Sequence, residues 1–146
     1  MSYQAGQTLT AVSLNRFIGN AQPSSNDTFT TSTKVLTADT ATFTAIATHT
    51  YAISWSTQHS SSATCAITLA ARYVAGTGPI ATGSTTIWSR VSQSGGGIDT
   101  FYCRRTITGL SGLITVGITG LANAGATTTV YGGSDQRELL IEDLGP

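Results

Sequence analysis

From Lys34 onward, apolar and polar residues alternate with a period of two in one short run after another, and turn-forming residues separate the runs. That period sends successive side chains to opposite faces of a strand. Tyr51, Ile53 and Trp55 alternate with Thr50, Ala52 and Ser54, and Cys65, Ile67 and Leu69 alternate with Thr64, Ala66, Thr68 and Ala70. Phe101, Cys103 and Ile107 alternate in the same way with Tyr102, Arg104 and Thr106. In each run the first-named set predicts the face turned to the core. Arg105 falls in phase with Phe101, which predicts either a bulge or a rim position where its guanidinium reaches water. The almost continuously apolar run 113–118 predicts a central strand, with Gly117 and Gly120 marking a bend or a close approach of other backbone. Gly-Leu-Ser-Gly at 109–112 joins these last two runs, so 99–120 reads as a hairpin around which the chain is organised.

The strands predicted in this way are 34–38, 41–47, 50–56, 63–74, 84–91, 100–108, 113–119, 127–131 and 137–142. Short strands with no helical pattern between them imply an all-β fold, an antiparallel two-sheet sandwich of jelly-roll or other Greek-key type. The one helical pattern lies at 10–19, where Thr10 is a cap, Leu14, Phe17 and Ile18 share a face and Gly19 is a stop. Two turns of helix do not persist alone in water, so this face is expected to dock on another surface. Residues 20–33 are rich in turn formers, including Pro23, Ser24, Ser25, Asn26 and Asp27, and read as a linker. The expected organisation is therefore an N-terminal docking arm with a short helix at 1–33 and a β-sandwich domain at 34–146.

Composition narrows the function classes. Among 146 residues there are 27 threonines and only 10% charged residues, against about 25% in ordinary soluble domains. The formal net charge is zero, and Lys34, Arg16, Arg72, Arg90, Arg104, Arg105 and Arg137 are scattered singly, so no basic stripe is present for nucleic acid. A surface this poor in charge suits a protein packed in an assembly, and a homo-oligomer, specifically a trimer, is expected. No apolar run is long enough for a membrane span, and residues 1–18 lack the layout of a secretory signal. Cys65 and Cys103 fall at inward positions on separate strands and read as buried free thiols of a protein made in a reducing cytosol.

Candidate chemistry is sparse. His49 and His59 have no Cys, Asp or Glu at metal-ligand spacing, so neither a metal nor any other cofactor is expected. Gly95, Gly96 and Gly97 lack the lysine and the strand-to-helix setting of a phosphate loop. Glu138 and Glu142 point the same way on one strand, the arrangement of a glycosidase acid pair, but nothing beside them in sequence supports that chemistry and they read as a solvated face. No catalytic residue is assigned, and the chain is expected not to be an enzyme. Trp55, Trp88, Tyr73, Tyr102 and Tyr131 are candidates for a sugar-stacking platform. Trp88 is the open case for a glycan contact, because it lies opposite in phase to Ile87 and one of the two must face outward.

The two ends of the chain carry a resemblance. Ala5-Gly6-Gln7, Leu9-Thr10-Ala11 and Leu14-Asn15 resemble an opening common in small virion proteins of tailed phages that infect actinobacteria, and the final Ile141-Glu142-Asp143-Leu144-Gly145-Pro146 is similar to the ending of the same class. These motifs cover under a fifth of the chain. The resemblance implies a non-enzymatic virion structural protein, assembled in the host cytoplasm, that decorates the capsid or forms part of the tail. Its partners would be copies of itself and the major capsid or tail proteins, with Leu9, Leu14, Phe17 and Ile18 as docking residues. The alternative function is a glycan-binding module that recognises a host surface.

Overall fold

The computed structural model describes residues 16–133 and 137–146. Ten strands form two antiparallel sheets: β1 (Phe17–Ala21), β2 (Asp27–Phe29), β3 (Lys34–Ala45), β4 (Thr50–Ser61), β5 (Cys65–Ala75), β6 (Thr85–Ser94), β7 (Asp99–Thr108), β8 (Gly112–Ala122), β9 (Thr128–Val130) and β10 (Arg137–Asp143). One sheet runs β3-β8-β5-β6. In the other, β4 has β7 on one side and β10 followed by β9 on its opposite side, and β1 and β2 pair with β10 and β9 in turn. Thus β1 with β2, and β9 with β10, are each one strand position interrupted midway. Counted so, each sheet has four positions, and the order is that of a jelly roll, as the alternation of short strands predicted.

The inward faces are those expected. Tyr51, Ile53, Trp55, Cys65, Ile67, Leu69, Phe101 and Cys103 are all buried, and both cysteines are free thiols. Arg105 lies on the rim: the β4–β7 register is unbroken through it, and β7 is an edge strand whose inward positions open to solvent at that end. Arg90, opposite the buried Leu69 on the edge strand β6, is exposed in the same way. A charge at an inward position on an edge strand discourages pairing with a stray chain.

Three expectations are corrected. The segment 99–120 is not a hairpin, because β7 pairs with β4 and β8 with β3 and β5 in the opposite sheet. Residues 109–111 cross between the sheets, with Gly109 and Gly112 at positive φ and Leu110 buried at the end of the core. The last residues of the helix expected at 10–19 are strand instead: Phe17, Ile18 and Gly19 are in β1, held by the β10 backbone. Residues 10–15, and with them Leu14, as well as Leu9, lie outside the described residues. Nor does the boundary at 33 divide arm from sandwich, since β1 and β2 belong to the sheet and Phe29 of β2 is buried in the core. Its ring lies against β8, where a Cβ at Gly120 would sit 2.6 Å away. The close approach expected at Gly120 is therefore by a side chain; at Gly117 both kinds occur, with Ile80 of the β5–β6 loop packed there and the Asp39 carbonyl 3.3 Å from where a Cβ would sit.

Both strand interruptions occur beside one buried ion pair. The β3–β8 register shifts between Leu36 and Thr40, and the intervening bulge turns Asp39 into the core. Arg137, the first residue of β10, is also fully buried; its Nε donates to both carboxylate oxygens of Asp39 (2.9 and 2.8 Å), Nη2 donates to Oδ2, and Nη1 donates to the Ser25 carbonyl (3.3 Å). Trp55 Nε1–H donates to Asp39 Oδ1 (3.0 Å). Burial pushes the Asp39 carboxyl above its ordinary value, against the opposing pull of Arg137 and of the Trp55 N–H. Here residues 22–26 leave the sheet between β1 and β2, and they meet the stretch after β9, where Gly133 N donates to the Pro23 carbonyl (2.7 Å) and Gly132 N to Asn26 Oδ1 (2.9 Å).

Candidate functional site

On β4, β7 and β10 the inward phase is filled by large apolar residues, so the even-numbered residues of these strands form the outer face of their sheet. Ser54 and Ser56 lie on β4, Tyr102 and Arg104 on β7, and Glu138, Leu140 and Glu142 on β10. The register sets Leu140 and Arg104 on either side of Ser54, and Glu138 and Tyr102 on either side of Ser56. Two small serines between larger side chains make a floor. Above it lies a shallow open groove of about 360 Å³ that also touches Arg16 and Phe17, continuous through Phe17, Glu138 and Leu140 with a second of about 630 Å³ along β1.

Two aromatic rings stand at opposite corners of this face. Tyr102 is 64% exposed and Phe17 56% exposed. Phe17 pairs with Glu142, at the level of Ala52 on β4, whereas Tyr102 pairs with Ser56. The charges between them are already matched. Glu142 Oε1 forms an ion pair with Arg16 Nε (3.1 Å), its Oε2 accepts from Arg104 Nη2 (2.7 Å), and Glu138 accepts from Gln22 Nε2 (2.7 Å). Glu138 and Glu142 share a face, but four residues along one strand is about 13 Å of backbone, beyond the roughly 5–9.5 Å between the carboxyl groups of a glycosidase pair.

The other candidates are placed elsewhere. Trp88, expected as the glycan contact, is 4% exposed and faces the core: its ring packs on Phe101 (centroids 6.0 Å apart), which packs on Trp55 (5.8 Å), bridging the edge strands of the two sheets. Ile87, beside the β5–β6 bulge, is half-buried and also packs against the core, so neither of the two stands open for a glycan. Trp55 is tied to Asp39, and the Tyr131 hydroxyl to Ser60 (2.7 Å). Of the five aromatics that the sequence offers, Tyr102 stands on the open face and Tyr73 packs partly buried against the core, while the sequence marks Phe17 only as a docking residue. Ile18 packs partly buried against the core, which leaves Phe17 as the exposed member of that pair.

His49 Nδ1 lies 2.9 Å from both oxygens of Asp143. His59 is fully buried with neither ring nitrogen hydrogen-bonded, and burial holds its pKa below the ordinary imidazole value, against the opposing field of Asp99. Among the described residues no three His, Cys, Asp or Glu side chains are grouped to hold a metal ion. Among the described residues there is no helix long and apolar enough to cross a membrane.

No protein-family model matches the chain, and no curated protein matches it. Solved structures do. Eiger TNF from S. frugiperda superposes with a TM-score of 0.58 at 8% identity, over 89% of this chain and 94% of that one. Murine APRIL at pH 5.0 superposes with a TM-score of 0.53 at 9% identity, over 89% of this chain and all of that one. At such identities the likeness is one of fold: this chain is an antiparallel two-sheet sandwich of the jelly-roll kind.

Proposed function

We propose that this chain is a non-enzymatic structural subunit of a tailed-phage particle, an accessory jelly roll on the capsid or tail that associates with its own copies as a trimer. The observation that carries the reading is the C-terminal stretch, whose resemblance to the endings of such proteins coincides with a distinct structural task. Ile141 is buried in the core, Glu142 joins two arginines across the outer face, and Asp143 meets His49. Leu144 N donates to the Thr50 carbonyl (2.9 Å) and Thr50 N to the Gly145 carbonyl (2.8 Å), so the last residues strap the start of β4. Among the described residues no strand pairs with the outer edges of β6 and β7, which supports self-association, because a closed ring of like subunits covers edges.

Mass spectrometry of purified particles of the phage encoding the chain tests this reading: the protein is expected in a fixed ratio to the major capsid protein, and its absence overturns the proposal. Light scattering of the pure protein is expected to give a trimer mass; a monomer at every concentration removes the self-association part. A second reading, recognition of a host glycan, is supported by the two exposed aromatics of the outer face.

A further inference from the structure

We propose that the outer face of the β1-β10-β4-β7 sheet binds an uncharged oligosaccharide, laid diagonally across the strands from Phe17 to Tyr102. This assignment rests on the glycan reading and is independent of where the protein sits in a particle. Both rings stand on strands whose inward phase is core, so their positions are set before any ligand arrives. An exposed aromatic ring offers the flat apolar surface on which the C–H face of a sugar rests, and its edge leaves the sugar hydroxyls free for polar neighbours.

Those neighbours are present along the line between the rings. Ser54 and Ser56 form the low floor, with Arg104 to one side and Glu138 to the other. Sugar hydroxyls both donate and accept, which suits a row of serines, a guanidinium and a carboxylate better than it suits a single-sign surface.

Charge selects the ligand class. Two arginines and two glutamates share the face, Glu142 has both oxygens committed to the arginines, and no net charge remains to hold an anion or a cation. Phosphate, sulfated or uronic ligands would meet Glu138 and Glu142 with no free cation among the described residues of this face to offset them. A second copy of this chain fits less well, because the core of a self-interface is depleted of charge, whereas charged side chains stand between the two rings here. Length follows from register. Phe17 and Tyr102 are three strand positions apart and offset by the four residues from Ala52 to Ser56, a diagonal of about 20 Å at ordinary strand spacings. One monosaccharide cannot touch both rings; an extended oligosaccharide can.

Calorimetric titration of the full chain with hexasaccharides of β-linked glucan, β-linked galactan and α-linked glucan, and with oligogalacturonate as the charged control, tests the assignment. At least one neutral hexasaccharide is expected to bind, oligogalacturonate is not, and Tyr102→Ala and Phe17→Ala are each expected to weaken binding at least tenfold. Tyr102→Phe should retain binding, and so should Leu113→Ala, which removes an exposed side chain from β8 of the other sheet. Urea unfolding of each variant checks that the fold is kept. If a neutral probe binds equally to wild type, Tyr102→Ala and Phe17→Ala, glycan recognition stands but this face is not its site. If no neutral probe binds, the glycan reading fails and this assignment with it. Binding of oligogalacturonate alone refutes the uncharged ligand, and loss of a trimer or dimer mass in Tyr102→Ala, with no glycan bound by wild type, assigns the face to self-association.

Discussion

Replacing Arg137 by Met tests whether the buried ion pair holds the two interrupted strand positions together. Arg137 and Asp39 are both fully buried, and the carboxylate accepts from Nε, Nη2 and Trp55 Nε1. Met fills much of the arginine stem's volume but leaves the Asp39 carboxylate in the core with the indole N–H as its remaining donor among the described residues. Removing one partner of such a pair costs about 3–5 kcal/mol, and Asp39→Leu, which strands the guanidinium instead, belongs in the same range. Removing both removes the uncompensated charge. What remains is the lost acceptor of Trp55 and the lost donor to Ser25, about 1–3 kcal/mol per orphaned group at most. The double variant is thus expected to be no less stable than either single one, with a coupling energy of several kcal/mol. Urea denaturation followed by tryptophan fluorescence measures this, since Trp55 contacts the pair directly. At this chain length Arg137→Met should also lower Tm by roughly 10 °C. Costs that simply add in the double variant, or a single variant within about 1 kcal/mol of wild type, would refute the reasoning.

Two further outcomes follow from buried groups. Gly120→Val places a branched side chain where a Cβ already meets the Phe29 ring at 2.6 Å, so it should cost about 1–3 kcal/mol, while Gly83→Ala, with no atom within 4 Å of its new Cβ, should shift stability by less than about 0.5 kcal/mol; equal urea midpoints for the two would contradict the packing described. His59, held below the ordinary imidazole value by burial, takes up its proton in the unfolded chain before the folded one. Its stability contribution is therefore full above about pH 6.5 and is lost as pH falls toward the folded-state value, by up to about 1.4 kcal/mol per pH unit. His59→Leu should flatten the fall in stability between about pH 7.5 and about pH 5.5, and a variant with the wild-type slope would place the acid sensitivity elsewhere.

Which side of each strand faces inward is a local property, and the sequence alone determined it. Ile53, Trp55, Phe101, Cys103, Leu139 and Ile141 are buried in the phase that alternation demands, and Ser54, Tyr102, Arg104 and Glu142 take the outer face for the same reason. That phase, repeated over short strands, also determined the two-sheet sandwich. Strand partners are not a local property. Nothing in 99–120 distinguishes a hairpin from a crossing between sheets, because both need glycines at the turn and alternation on either side. β1 and β2, of five and three residues, are too short to show a period, and they are strands because β10 and β9 offer them backbone partners. Phe17 and Ile18 follow that pairing rather than the helical spacing they share with Leu14. Asp39 and Arg137 lie 98 residues apart and look in sequence like isolated surface charges; the β3 bulge and the start of β10 bring them together in the core. The outer face joins Phe17 to Tyr102 for the same reason: strands distant along the chain become neighbours only when the sheet closes, and the tertiary structure alone decides which side chains then share a groove.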